Sequence, residues 1–246
     1  MEKTYRVNSD IILTQRTDGL MYGTDALLLA AFVAPGRGGR AVELGAGTGI
    51  ISLMCAKRGK FAHITAVEVQ DEYARLTASN IEKNAMNDRV SVLGADLRTL
   101  RASDFGGEVD AVFSNPPYMQ TTTGPRNEND GKYAARHEVY GGIGDFCACA
   151  ARLLRHGGSA YFVWRPDRLT DLFLSMRENK IEPKRVIFVY PDEAHPPCLV
   201  LCEGRKGGGR GLTSTPPLFV KKDGEDSDAI KHIYEKGEMP DGYRKK

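Results

Sequence analysis

The chain has 246 residues, of which 41% are hydrophobic and 27% are charged, and its formal net charge is +2. This composition indicates one folded domain with a large core and excludes intrinsic disorder as the dominant state. The longest apolar run, Ala26–Ala34, is too short to span a membrane, and the charged N-terminus lacks a secretory signal, so we expect a cytoplasmic protein without membrane contact.

The order of the chain predicts an α/β fold. After an N-terminal segment that ends near Pro35, short apolar runs alternate with helical patterns, which is typical of βα units and a largely parallel sheet. The predicted strands are Ala41–Leu44, His63–Val69, Arg89–Leu93, Val109–Ser114, Ser159–Trp164, Val186–Tyr190 and Cys198–Cys202. Because only Pro191 to Pro197 separates the last two strands, they should pair as an antiparallel hairpin.

Helical patterns occupy the segments between the strands. They lie at Thr48–Lys57, Asp71–Met86, Ile143–Leu154 and Leu169–Met176. Asp71 is placed to cap the second of these helices, and Gly157-Gly158 should end the third as a C-cap.

Two segments are polar rather than periodic. Met119–Gly131 is rich in Thr, Asn and Gly and predicts a long loop, of the kind that often carries function. Gly204–Gly211 combines glycines with Arg and Lys and predicts a flexible basic loop. Such a loop suits phosphate contacts, although a solvated loop without a partner has the same pattern.

The five cysteines form no CxxC pair and are odd in number. They therefore predict neither a disulfide framework nor a metal site. Cys147 and Cys149 lie on an apolar helix face, where a core position is expected.

A glycine-rich turn follows the first predicted strand. Gly45-Ala46-Gly47-Thr48-Gly49 comes after Glu43-Leu44 and opens a helix, and glycines let a ligand approach the backbone. Glu68, at the end of the next strand, can accept both hydroxyls of a ribose, and Asp96, after the third strand, can reach an adenine amino group. This pattern has no cradle for a pyrophosphate and points to S-adenosylmethionine, with Glu43 near its cationic methionyl portion.

Thr24 and Asp25 precede an apolar helix, and the sequence leaves two interpretations open for them: a helix cap, or contact with the methionine end of the cofactor. The residues predicted to bind the cofactor are Thr24, Asp25, Glu43, Gly45, Ala46, Gly47, Gly49, Glu68, Val69, Asp96, Leu97 and Asn115.

Asn115-Pro116-Pro117-Tyr118 follows the fourth predicted strand. An amino group conjugated to a purine ring is a poor nucleophile, because its lone pair is delocalised. The side-chain carbonyl of Asn115 and the backbone carbonyl of Pro116 can accept its two hydrogens and localise the lone pair. Pro117 stiffens the turn, and Tyr118 offers a flat face for an unstacked base. These four residues are the candidate catalytic residues.

The glycine turn and the Asn115–Tyr118 motif together resemble the class I S-adenosylmethionine-dependent methyltransferases over Arg40 to Glu203. A narrower resemblance, to the bacterial tRNA1(Val) adenine-N6 methyltransferases, covers almost the whole chain. It is carried by Gln15, Asp18-Gly19, Gly23-Thr24-Asp25-Ala26, Ala135-Arg136-His137-Glu138, Trp164–Arg168, Pro216-Pro217-Leu218 and Asp223-Gly224-Glu225.

The resemblance implies a Rossmann-like fold with seven strands, a mostly parallel sheet and a C-terminal antiparallel hairpin. It also implies S-adenosylmethionine as cofactor, tRNA as substrate and methylation of the adenosine 3′ of the valine anticodon. We expect a single domain with an N-terminal segment packed on the cofactor site (1–35), a methyltransferase core (36–203) and a C-terminal extension (204–246). The sequence leaves the oligomeric state open, a monomer included.

Other functions share these motifs. Protein glutamine methylation uses the same four-residue motif, because an amide nitrogen has a similarly delocalised lone pair. Methylation of adenine in DNA and of guanine N2 in ribosomal RNA remain alternatives, as does a noncatalytic RNA-binding scaffold with the same fold.

Overall fold

The computed structural model describes residues 2–7, 10–17, 22–36, 38–117 and 141–244. The helices of these ranges are α1 (Thr24–Phe32), α2 (Ile50–Lys57), α3 (Asp71–Lys83), α4 (Ile143–Leu153), α5 (Leu169–Glu178) and α6 (Asp228–Lys236). The strands are β1 (Glu2–Arg6), β2 (Ile12–Arg16), β3 (Arg40–Leu44), β4 (His63–Glu68), β5 (Val90–Gly94), β6 (Val109–Ser114), β7 (Leu154–Trp164), β8 (Ile181–Tyr190), β9 (Leu199–Lys206), β10 (Thr213–Ser214), β11 (Leu218–Phe219), β12 (Lys221–Lys222) and β13 (Glu225–Asp226). No helix in the described ranges has both the length and the apolar character needed to cross a membrane.

Nine of the described strands form the central sheet, in the order β10-β8-β9-β7-β6-β3-β4-β5, with β11 also paired to β8. β3 pairs in parallel with both β4 and β6, and β5 and β7 extend the two sides in parallel. The strand order therefore reverses between β3 and β6. Ligands of open α/β sheets bind at the carboxyl ends of the strands beside such a reversal.

The predicted α/β class and the antiparallel hairpin are confirmed. β9 runs antiparallel between β7 and β8, with Val189 of β8 opposite Leu199 of β9. The seven long strands of the sheet are the seven predicted from the sequence. β10 and β11 are short additional strands along the β8 edge.

Helices cover both faces of the sheet. α1, α2 and α6 contribute to one core cluster, and α4 and α5 contribute to the other. The consecutive residues Tyr161, Phe162, Val163 and Trp164 of β7 alternate between the two clusters and are all buried. Because both faces of the sheet are covered, this part of β7 is apolar at consecutive positions, which made the strand recognisable in the sequence.

The predicted C-cap at Gly157-Gly158 is wrong. α4 already ends at Leu153, and β7 begins at once and includes both glycines. The pairing of β6 with β7 shifts register between Val109 and Ala111, opposite this part of β7. A Cβ at Gly158 would lie 3.1 Å from the carbonyl oxygen of Asp110, so glycine permits the close approach of the two backbones at this irregularity.

The predicted basic loop starts later than expected, because β9 continues to Lys206. Gly204 belongs to the strand, and a Cβ there would lie 2.2 Å from the Cε atom of Met176 in α5. Tight packing between sheet and helix, rather than a turn, therefore explains this glycine. The predicted cap at Asp71 is also wrong: Asp71 is the first residue of α3, and the N-cap is Gln70, without a side-chain cap.

The N-terminal hairpin of β1 and β2 was not predicted. Among the described strands, β1 and β2 pair only with each other, and the hairpin is attached to α3 through side-chain amides. Asn80 donates to the carbonyl oxygen of Thr14 and accepts from its N–H, at 2.9 and 2.8 Å. Asn84 makes the same pair of bonds with Ile12.

Candidate functional site

The glycine turn and Glu68 lie together at the carboxyl ends of β3 and β4. The Oε2 atom of Glu68 accepts from the N–H of Gly47 at 2.9 Å, and its Oε1 atom accepts from the N–H of Gln70 at 3.0 Å. A carboxylate has about four lone-pair positions. The two backbone bonds therefore hold the group in place and leave acceptor capacity for two hydroxyls of a ribose.

The turn has the shape of a ligand cradle. Gly47 has a φ of +57°, and a Cβ there would meet no atom of the described residues within 4 Å, so these residues leave the outer side of Gly47 open beside Glu68. Val69, the next residue after Glu68, is 39% exposed despite being apolar. An open backbone, a fixed carboxylate and an exposed apolar side chain fit the ribose and adenine of S-adenosylmethionine.

Two side chains of α3 hold the glycine turn through hydrogen bonds to its carbonyl oxygens. Thr77 donates through its hydroxyl to the carbonyl oxygen of Gly47 at 2.7 Å, and Asn80 donates to that of Thr48 at 3.0 Å. Gly49, at φ +79°, packs so closely that a Cβ would lie 2.7 Å from the Cγ2 atom of Thr77. Thr77 was not predicted as a site residue; the signal that could have indicated it is a hydroxyl at an apolar position of the helical period.

Glu43 has a structural role that the sequence did not reveal. The residue is 1% exposed, and its carboxyl group accepts from the backbone N–H of Ser52 at 2.9 Å and from the Ser52 hydroxyl. Ser52 lies in the first turn of α2, whose N-cap is Gly49 and has no side chain to offer. Glu43 therefore supplies the helix with the acceptor that a capping side chain would provide. Its contact with the cofactor stays a prediction.

Glu43 should make the stability of the protein depend on pH. Burial raises its pKa from 4.5 to about 8, although the Ser52 hydrogen bonds act in the opposite direction. Between these two pKa values the folded state binds more protons than the unfolded state. The contribution of Glu43 to stability is therefore complete below pH 4.5 and is lost as the pH rises through about 8. Between pH 4.5 and about 8, the free energy of unfolding of the wild type should fall by up to about 1.4 kcal/mol per pH unit relative to that of Glu43→Gln.

Urea unfolding of both proteins across this pH range measures that difference. Glu82→Gln, at an exposed position of α3, is the matched control and should follow the wild type. A difference between wild type and Glu43→Gln that does not change with pH would contradict the titration.

Asp96 and Leu97 follow β5, the strand next to β4. The Asp96 carboxylate accepts from the Nε and Nη2 atoms of Arg98 at 3.0 and 2.5 Å, and the Arg98 hydrogen bonds lower its pKa. Leu97 is buried against the core. The predicted contact of Asp96 with an adenine amino group would therefore be made by a carboxylate that a guanidinium already orients.

Asn115 lies at the end of β6, on the other side of β3. The Ser114 hydroxyl donates to the carbonyl oxygen of Leu44 at 2.6 Å and joins this end of β6 to the start of the glycine turn. The Nδ2 atom of Asn115 donates to the Oδ2 atom of Asp25 at 2.8 Å. Pro116 is buried and Pro117 is half-buried. The β6-β3-β4 neighbours thus bring Asn115, the glycine turn and Glu68 to one edge of the sheet.

Thr24 and Asp25 begin α1, whose N-cap is Gly23. Asp25 accepts from the N–H of Ala26 at 2.8 Å, so a residue within the first turn of α1, rather than the N-cap, provides an acceptor for one of its backbone N–H groups. The Thr24 hydroxyl lies 3.5 Å from the hydroxyl of Tyr234 in α6. Contact of either residue with the cofactor stays a prediction.

Several predicted residues lie outside the described ranges. These are Tyr118, the segment Met119–Gly131, Ala135–Glu138 and Asp18-Gly19. The cysteines predicted in the core, Cys147 and Cys149, are buried on α4.

Comparison with known proteins shows what the chain is similar to. Residues 17–178 match the methyltransferase small domain family. Curated relatives named tRNA1(Val) (adenine(37)-N6)-methyltransferase include those of Glaesserella parasuis, 33% identical over 43% of each chain, and of Shewanella amazonensis, 36% identical over 53% of this chain and 54% of the relative. These two alignments thus span about half of the relatives' length. A third relative, from Parabacteroides distasonis, is 27% identical over 86% of this chain and 84% of its own.

Solved structures of methyltransferases share the fold. A predicted O-methyltransferase from Agrobacterium tumefaciens superposes with a TM-score of 0.69 at 23% identity, covering 85% of this chain and 95% of that chain. A methyltransferase from Pyrococcus furiosus has a TM-score of 0.58 at 19% identity, with coverages of 80% and 89%. At these identities the similarity concerns the fold.

Proposed function

Because the chain belongs to the methyltransferase small domain family, we propose that it transfers a methyl group from S-adenosylmethionine to the N6 amino group of an adenine in tRNA. One observation carries the proposal: Asn115 lies at the end of β6, joined through Ser114 to the glycine turn that Glu68 holds. An acceptor for an amino group and a cradle for the cofactor therefore adjoin each other.

When bound, S-adenosylmethionine supplies an electrophilic methyl carbon, whose bond to sulfur breaks with the electron pair left on sulfur as the substrate nitrogen bonds to carbon. Asn115, through Oδ1, and the Pro116 carbonyl oxygen accept the hydrogens of the amino group and turn its lone pair toward that carbon. The methylated nitrogen loses its proton to water, so this chain needs no strong base. Most of the rate enhancement then comes from positioning.

The names of the curated relatives support a specific target, the adenine at position 37 of a valine tRNA. An adenine in an anticodon loop can leave its stack more easily than a paired base. Tyr118 would receive it on its flat face.

The test is methyl transfer from labelled S-adenosylmethionine to unmodified tRNA, ribosomal RNA, DNA and a release-factor protein offered separately, followed by nucleoside analysis. We expect N6-methyladenosine in tRNA only, and none at position 37 when that adenine is replaced in a valine tRNA transcript. Label in protein would establish glutamine methylation instead. Cofactor binding without transfer to any substrate would favour a scaffold.

Glu68 should contribute strongly to cofactor affinity. Glu68→Ala removes the acceptor for the ribose and the bond that orients Gly47, so the dissociation constant for S-adenosylmethionine should rise roughly 10- to 100-fold. Titration calorimetry measures the constant. Glu82→Ala, on the exposed face of α3, should bind like the wild type, and unchanged affinity in Glu68→Ala would reject the ribose contact.

A further inference from the structure

Asp25 contacts the proposed catalytic residue Asn115 but does not itself act on the substrate in the proposed transfer. It is the second residue of α1, and its two carboxylate oxygens have different partners. Oδ1 accepts from the N–H of Ala26, and Oδ2 accepts from the Nδ2 atom of Asn115, each at 2.8 Å. The carboxylate thus joins the start of α1 to the end of β6, 90 residues further along the chain.

The identity of the Asp25 side chain dictates how the Asn115 amide is oriented. An ionised carboxylate can only accept hydrogen bonds, whereas an amide has a donor on nitrogen and an acceptor on oxygen. If the amide were turned over, Oδ1 of Asn115 would face Oδ2 of Asp25 and the two acceptors would repel each other. Nδ2 of Asn115 therefore faces Asp25, and Oδ1, the other atom on the same amide carbon, points away from Asp25.

We propose that Asp25 is a positioning residue for methyl transfer, which holds the Asn115 amide so that Oδ1, rather than Nδ2, is offered to the amino group of the substrate. This rests on the proposed function. If the amide were turned over, its N–H groups would face the N–H groups of the substrate amino group. Asn115 could then accept no hydrogen bond from that amino group and could not localise its lone pair.

The bond also improves Asn115 as an acceptor. A hydrogen bond from the amide nitrogen to an ionised carboxylate is charge-assisted and shifts electron density of the amide toward its oxygen. Asp25 thereby strengthens the hydrogen bond that Oδ1 makes with the substrate, at the point where positive charge develops on the attacking nitrogen.

The surroundings keep Asp25 in place. A Cβ at Gly23 would lie 2.8 Å from the Oδ1 atom of Asp25, so glycine leaves the room into which the carboxylate folds. The other end of α1 is held by the buried Lys60, whose ammonium group donates to the carbonyl oxygens of Ala30 and Val33 at 2.7 Å each. A helix fixed at both ends gives the carboxylate the precision that a positioning residue needs.

Asp25→Asn is the decisive variant. Its single side-chain oxygen can serve the N–H of Ala26 or the amide of Asn115, but not both places at once. With the oxygen on Ala26, its NH2 group faces Asn115, which must turn over to present Oδ1 to it. Turnover should fall roughly 10- to 100-fold, and further than in Asp25→Ala, which leaves Asn115 able to rotate.

Measuring the affinity for S-adenosylmethionine distinguishes the positioning of Asn115 by Asp25 from the predicted direct contact of Asp25 with the cofactor. The positioning role predicts that the dissociation constant stays at the wild-type value in both variants and that the loss is in kcat, whereas a direct cofactor contact predicts a higher dissociation constant. Asp228→Asn, an exposed aspartate in the first turn of α6, is the matched control and should keep full turnover. A rise in the dissociation constant that accounts for the loss, or wild-type turnover in Asp25→Asn, would overturn the proposal.

Exchanging the two side chains should restore function. In the double variant Asp25→Asn, Asn115→Asp, the NH2 group at position 25 donates to one oxygen of the new carboxylate, whose other oxygen accepts from the substrate. We expect at least roughly tenfold higher turnover than in Asp25→Asn alone. No recovery would argue that the pair does not act through this hydrogen bond.

A readout without substrate tests the contact independently of the reaction. In the ¹⁵N-labelled protein, the side-chain amide signal of Asn115, identified by its absence in Asn115→Ala, should be protected from solvent exchange and should lose this protection in Asp25→Ala. If the wild type methylates no substrate, the proposed function fails although the contact can still be demonstrated. If protection is the same with and without Asp25, the positioning role fails even in an active enzyme.

Discussion

Asn115→Ala should abolish nearly all methyl transfer while binding of S-adenosylmethionine persists. Removing one preorganised group that acts on the charge developing in a transition state lowers turnover by about 100- to 1000-fold. The glycine turn and Glu68 keep their mutual hydrogen bond in this variant, because Gly47 and Gln70 hold the carboxylate without Asn115.

Steady-state kinetics and a cofactor titration on the same preparation measure the two effects. Asn179→Ala is the matched control, since Asn179 lies at the end of α5 and donates to the carbonyl oxygen of Ser175. It should keep both turnover and affinity. Turnover of Asn115→Ala within tenfold of the wild type would remove Asn115 from the mechanism.

Arg185→Met should produce the largest loss of stability, about 3–5 kcal/mol. Arg185 and Glu203 form an ion pair between β8 and β9 at 3.0 Å, with side chains only 8% and 1% exposed. The guanidinium also donates to the carbonyl oxygens of Tyr243 and Phe32 at 2.8 and 3.2 Å, and it lies 4.1 Å from the centre of the Phe32 ring. Its loss leaves the buried Glu203 carboxylate without this cation and releases both carbonyl groups.

Urea unfolding measures the effect. Arg165→Met is the control, because the Arg165–Asp167 pair is 40% and 54% exposed and should contribute at most about 1 kcal/mol. In the double variant Arg185→Met, Glu203→Leu, much of the stability should return, since no buried carboxylate then lacks its partner. A decrease in the free energy of unfolding of less than about 1 kcal/mol in Arg185→Met would contradict a stabilising role of this buried ion pair.

Arg185 also connects stability to the site. By bonding Phe32 and Tyr243 it fastens the end of α1 and the segment after α6 to the sheet. Asp25, which accepts the hydrogen bond from Asn115, lies at the start of α1. We therefore expect that loosening this end of α1 also reduces the precision with which Asp25 meets Asn115.

The sequence by itself determined the sheet and the edge at which the site lies. The central strands are rich in apolar residues, helices alternate with them, and parallel neighbours must present their carboxyl ends at one edge. The glycine turn and Asn115 each follow a strand and Glu68 ends one, so their common location could be predicted without knowing any distance. The hairpin followed from the short link between β8 and β9.

Only the tertiary structure decided which groups touch. Asp25 and Asn115 are 90 residues apart, and nothing in the local pattern of either predicts the other. Glu43 and Thr77 had to be seen against Ser52 and Gly47 before their support of α2 and of the turn was evident. The register shift beside Gly158 and the packing of Gly204 on Met176 likewise explain why a predicted helix C-cap and a predicted loop residue belong to strands.

The difference has a physical cause. Periodicity and turn residues express interactions between residues near in sequence, and these set the elements and their order. Hydrogen bonds between side chains of different elements depend on the packing of those elements to within a few tenths of an ångström, which is decided jointly by the whole core. The orientation of the Asn115 amide, on which the proposed chemistry depends, belongs to this second kind.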